Sequence, residues 1–170
     1  MADVPFVSLL KAVKAKLAEI STVNGYAFDI EGRVYHGDVD PFSVPRPSLF
    51  VYTTDEVPVQ NQPMDFLDLR TIFYVDFIDN MPGEDRPDLP SSTDEYCGLV
   101  MAELRRCLNR SSIEFLCQKA GTSDTFMQPA RVNYKGRSFN FGPPMPGVVW
   151  LEGRWEIVYR DFADDPRYSG

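Results

Sequence analysis

His36 is the only histidine in the chain, so any Ser–His–Asp or Cys–His nucleophile system has to be built on it. It sits beside Gly37 and Asp38 at the end of a strand-like run, a turn setting in which an imidazole ordinarily faces solvent. Two pairs of carboxylates lie close in sequence, Asp29 with Glu31 and Asp65 with Asp68. Residues two apart on a strand share a face. Asp29 and Glu31 are therefore expected side by side, either as a solvated face or as a place for a cation. One histidine with scattered acids is a poor metal set, which ordinarily needs several His or Cys ligands. Cys97, Cys107 and Cys117 form no CxxC pair. On one helix, Cys97 and Cys107 would stand about 15 Å apart along the axis, beyond disulfide reach. The Gly142–Gly147 stretch holds Pro143, Pro144 and Pro146, which have no N–H to offer a phosphate. From these residues we expect no catalytic, cofactor-binding or metal site, no cofactor, and no enzyme.

Composition narrows the remaining classes. At 170 residues the chain fits one domain, and 44% hydrophobic residues are enough for a sizeable core. Lys and Arg number 17 against 25 Asp and Glu, a formal charge of −8, so there is no general attraction for a phosphate backbone. Such a chain can surround DNA without gripping it. Arg105-Arg106 is the only close basic pair on a helical stretch, too narrow for a DNA-reading face. No apolar run approaches the ~20 residues that span a bilayer. The Met-Ala-Asp-Val-Pro start lacks a basic region before an apolar stretch, so no signal peptide and no membrane partner are expected. The 12 Phe, 8 Tyr and 2 Trp are core by default; Tyr52, Phe66, Tyr74, Trp150 and Trp155 can equally serve an interface.

The elements that must position these residues follow from periodicity. Phe6, Leu9, Leu10, Val13, Leu17 and Ile20 recur at helical spacing and predict a helix over Pro5–Ile20, with Asp3 as its cap. Tyr26–Tyr35 reads as a strand ending near His36. Val39–Pro47 holds three prolines and predicts an extended connection. Ser48–Thr54 is a short apolar strand. Met64–Asp79 is the longest strand candidate and carries bulk on both faces, which predicts a central strand or one whose second face meets a partner. Asn80–Pro90 is a polar, Pro-rich loop. A second helix is expected from a cap at Ser91, Ser92 or Thr93, with a stripe of Tyr96, Leu99, Val100, Leu104, Cys107 and Leu108. Ile113–Cys117 reads as a short strand or turn. Phe126–Phe141 reads as strands around a hairpin turn at Tyr134-Lys-Gly-Arg137. Val148–Leu151 and Arg154–Phe162 are the closing strands, with a frayed tail from about residue 163. This order predicts an α+β fold: a single domain, residues 1–170, with two helices on one face of a mostly antiparallel sheet. Leu10, Val13, Leu17, Leu69, Phe73, Val75, Leu104 and Leu108 are its expected core.

The opening Leu9-Leu-Lys-Ala-Val-Lys-Ala-Lys-Leu-Ala-Glu-Ile20, then Asn24-Gly-Tyr26 and Arg46-Pro-Ser-Leu-Phe-Val51, resembles the tail terminator and tail completion proteins of long-tailed bacteriophages. The long strand at Phe66–Ile78, the helix at Asp94–Leu108 and the strands at Trp155–Phe162 continue the same order. The resemblance implies a structural virion protein of the tail–neck region, made in the host cytoplasm. It would form a homo-oligomeric ring, typically of six subunits, that caps the tail tube and docks the head-completion or neck protein. DNA would pass through it without specific binding. On this reading Phe42, Phe66, Tyr74 and Met81 are the expected subunit-interface residues, and Asp29, Glu31, Asp65 and Asp68 the expected lumen-facing acids. The segments Asp55–Pro63 and Phe139–Gly147 depart from a minimal family member. Two other readings stay open: another head–tail connector or tail tube component, and a small ligand-binding or enzymatic domain using His36.

Overall fold

The computed structural model describes residues 5–53, 57–59, 67–109, 113–118, 125–139 and 147–161. Helix α1 (Pro5–Ala18) leads through a single 3₁₀ turn to the short strand β1 (Val34–His36). Strands β2 (Ser48–Thr53), β3 (Val57–Pro58) and β4 (Leu67–Asn80) follow, then helix α2 (Thr93–Asn109), then β5 (Ile113–Gln118), β6 (Thr125–Phe139) and β7 (Val148–Asp161). The strands form one sheet in the order β1-β2-β4-β7-β6-β5, with β3 added alongside β4. Among the described residues only β1 with β2 is a parallel pair, and every other pairing is antiparallel. Both helices pack on one face, giving a single α+β domain. The sheet curls, and α1 lies against β5 while also touching β1, so it spans the two ends of the strand order.

The core is what the periodicities predict. Leu9, Val13, Leu17 and Ile20 are fully buried on one stripe of α1. On α2 the buried stripe is Tyr96, Cys97, Val100, Met101, Leu104, Cys107 and Leu108, while the expected Leu99 is only half-buried. Opposite them lie the odd-numbered residues of β4 and β7, among them Phe73, Val75, Phe77, Leu151, Trp155 and Ile157. Alternation puts these side chains on the helix-covered face, and each fully buried Leu, Ile or Phe stabilises by about 1.5–3 kcal/mol. Leu10 is only half-buried, at the margin of that stripe. Cys97 and Cys107 are buried free thiols, while the Cys117 side chain and the Asp3 cap lie outside the described residues.

Four expectations need correction. The Tyr26–Tyr35 strand shrinks to Val34–His36. Asp29 Oδ1 accepts from Thr22 N at 2.6 Å, and Ile30 N donates to Ile20 O. The second bond occupies a backbone N–H that a strand ladder would need, and the first ties the Asp29 side chain back to the 3₁₀ turn. Glu31 (φ 51°) and Gly32 (φ 75°) then turn the chain, so Asp29 and Glu31 do not share a strand face. The hairpin turn at Tyr134–Arg137 is absent: β6 runs straight through, pairing Tyr134 with Trp155 and Gly136 with Arg154. Lys135 is the extra residue of a β-bulge, which the 14-residue β7 accommodates as a continuous partner. The two closing strands are likewise the single strand β7. Trp155 is wholly buried core rather than interface. Helix α2 starts after Ser92, one of the three expected caps. Ser92 Oγ accepts from Glu95 N at 3.4 Å and lies 2.8 Å from Glu95 Oε2, an arrangement that stabilises a helix start by about 1 kcal/mol.

Candidate functional site

The even-numbered residues of β4 and β7 point away from both helices, and the register fixes who meets whom. Tyr74 faces Tyr52 on one side and Arg154 on the other; Asp76 faces Phe50 and Glu152; Ile78 faces Trp150. Two carboxylates directly opposite across a strand pair repel each other. The structure answers with hydrogen bonds. Trp150 Nε1 donates to Asp76 Oδ2 at 2.9 Å, and Ser138 Oγ donates to Glu152 Oε1 at 2.9 Å. The Tyr52 hydroxyl lies 2.8 Å from Glu152 Oε2 and 3.3 Å from Asp76 Oδ1. Its ring stacks on Tyr74 with centroids 5.1 Å apart and planes 6° apart, and Arg154 lies over the other aromatic side at 5.9 Å. Phe42 closes the group with its edge toward Trp150 at 6.1 Å.

Burial pushes the Asp76 carboxyl up to about 6; the Trp150 hydrogen bond opposes this, and the Glu152 charge adds to it. Burial first, and then the hydrogen bond to Glu152, raises the Tyr52 phenol well above its usual range. The Tyr52 hydroxyl is thus a donor placed between the two carboxylates, and a proton on Asp76 relieves their repulsion. Chemically the cluster can hold that proton and fix strand register; it contains neither a histidine nor a thiol.

The sign of the resulting pH dependence follows. An unfolded Asp titrates near ~3.9. Between about pH 4 and 6 the folded state binds the extra proton, so this group's contribution makes stability fall as pH rises through that window. Asp76→Asn keeps an oxygen for Trp150 and removes the charge. We expect the variant to be about 1–2 kcal/mol more stable than the parent at pH 7, with the gain vanishing toward pH 4, in urea unfolding at both pH values. An equal difference at both would contradict the titration.

The other expected site residues are spread out. His36 is exposed on its turn, with Nδ1 3.1 Å from Asp38 Oδ1. His36→Ala should change stability by less than about 0.5 kcal/mol and leave assembly intact; lost assembly with an intact fold would contradict this. Asp29 and Glu31 border a 660 Å³ cleft between the segment before β1 and the loop after β4. Glu31 is paired there with Arg33. Asp68 pairs with Arg160 at 2.8 Å, at the far end of β4. Phe28 packs on Phe77 at 5.4 Å, which places Asp29 about 30 Å along the strand from Asp68. The structure therefore does not gather these acids into one patch. Asp65 and Phe66 lie outside the described residues. Phe42 is 44% exposed, Tyr74 is half-buried in the cluster, and Met81 packs against the core. Among the described residues no group of three or more His, Cys, Asp or Glu is placed to hold a metal ion, and no helix is long and apolar enough to cross a membrane.

The sequence reading missed Asp76, Glu152 and the buried Asp79–Arg86–Tyr96 group as special positions. Asp79 is 1% exposed and accepts from Arg86 NH1 at 2.7 Å and from the Tyr96 hydroxyl. A charge inside an otherwise apolar central strand was the available signal at Asp76 and Asp79. Their partners are remote in sequence: Trp150 is 74 residues from Asp76, and Tyr52 is 100 from Glu152. No protein-family model matches the chain, and no curated protein matches it.

Proposed function

We propose that the chain is a structural subunit of a bacteriophage tail, a tail-terminator-like protein that forms a ring on the tail tube and presents a docking surface to the neck. The observation that carries this reading is the helix-free face of the sheet. Across β2, β4, β7 and β6 it is furnished with half-buried aromatic and paired charged side chains in register, and both helices lie on the opposite face. Faces of this composition, aromatic with Arg and locked side chains, suit protein contact. The element order adds support. A helix, a short break, a Pro-containing segment, a core strand, a long strand, a second helix and closing strands occur in the sequence of the resemblance.

Electron cryo-microscopy of virions carrying a tagged copy tests the reading. The tag is expected at the head–tail junction alone. Tags along the whole tail would make the chain a tube subunit, and absence from the tail would end the proposal.

A further inference from the structure

We propose that the helix-free sheet face of one copy docks on the acidic loop after β4 of a second copy. This rests on the ring reading and names its mating surfaces. The charges on the sheet face are layered. Asp76 is 6% exposed. The Glu156 side chain is 14% exposed, beneath Arg70 and Lys135 at 47% and 41%. Arg131 and Arg154 are exposed beside them. Asp76 and Glu156 are sunk and these cations stand above them, while Asp68, nearer the far end of β4, is held by Arg160, so around Glu156 a partner meets guanidinium and ammonium groups on a chain whose net charge is −8.

The loop over residues 81–92 has the reverse layering. Its one cation, Arg86, turns inward onto Asp79 and Asn80 O. Glu84, Asp85 and Asp88 are exposed. The loop is already ordered: Met81 N donates to Gly147 O at 2.7 Å, Arg86 N to Gly83 O and Leu89 N to Arg86 O at 3.1 Å. Docking it costs little conformational entropy. The two surfaces cannot meet within one molecule. Arg154 lies opposite Tyr74, about 20 Å along β4 from the Asn80 end where the loop begins, and Arg70 lies farther still. A contact between different patches on two copies is head-to-tail, the kind that closes rings. It also removes the cations from a channel that DNA has to traverse, where they would hold phosphates.

Sedimentation velocity of the full-length chain tests this, with Arg131→Glu/Arg154→Glu and Asp85→Lys/Asp88→Lys as variants, all at exposed positions. We expect the parent to self-associate, and the association to weaken about tenfold or more from low to moderate salt. Each double reversal should weaken it by roughly a hundredfold, and all four substitutions in one chain should restore it. That restoration separates a lost contact from a lost fold. Association indifferent to both reversals places the contact elsewhere and overturns this proposal, leaving the ring reading to the virion experiment. A parent that stays monomeric overturns it too. So does a parent that instead binds a single-stranded oligonucleotide through Arg131 and Arg154.

Discussion

Arg86→Ala is expected to lower the free energy of unfolding by about 3 kcal/mol, measured by urea denaturation at neutral pH. The reason lies in what it leaves behind. Asp79 is 1% exposed at the end of β4, and one of its oxygens is shared by Arg86 NH1 and the Tyr96 hydroxyl. Its other oxygen accepts from Asn80 N at 2.7 Å. Without the guanidinium the carboxylate is buried beside a phenol that burial and the Asp79 charge already hold above its usual range, so the phenol supplies no countercharge. Arg86 also ties the loop to Asn80 O at 2.7 Å. The side chain is 27% exposed, so water partly replaces it, which keeps the expected loss at the lower end for a buried ion pair. Adding Asp79→Asn removes the stranded charge. The double variant should recover more than about 1 kcal/mol of the loss. Equal losses in the single and double variants would show that Arg86 acts through the loop tether instead.

Legibility in the sequence tracked the range of the forces involved. α1, β2, β4 and α2 were readable because amphipathic periodicity is local, and Leu9, Val13 and Leu17 or Phe73, Val75 and Phe77 report it directly. Tyr26–Arg33 misled because Phe28 and Ile30 alternate as in a strand and are indeed buried, yet side-chain and backbone bonds to Ile20 and Thr22 hold them in a loop. Tyr134-Lys-Gly-Arg137 has turn-like residues, and only the length of β7 decides that the ladder continues as a bulge. The Asp76 cluster depends on the register of β2, β4 and β7, which no local pattern encodes. Tyr74 was legible as bulk on the second face of β4; the carboxylate pair next to it was not.

The same dependence on register makes Gly153 the most sensitive small residue of β7. It sits in the strand two positions before Trp155, on the same face, and the indole folds back over it. A Cβ at this position would lie well inside van der Waals contact with Trp155 Cη2 and Cζ3, and 3.2 Å from Met101 Cε. Trp155 has little room to yield, because it is fully buried and packs on Tyr134 with centroids 5.5 Å apart. Gly153→Ala is therefore expected to cost about 3 kcal/mol, the upper part of the overpacking range, and to lower the melting temperature by roughly 6–12 °C in a chain of this size. Trp155→Phe supplies the control. The smaller ring vacates the space over residue 153 and removes a buried indole N–H that has no hydrogen-bond partner among the described residues. It leaves a cavity of its own, so Trp155→Phe alone destabilises. Gly153→Ala with Trp155→Phe should then be more stable than the sum of the two single losses predicts, by about 1–2 kcal/mol. Additive losses would mean that the clash is relieved by the backbone of β7, and that the fit of the indole over Gly153 is not what holds this strand in place.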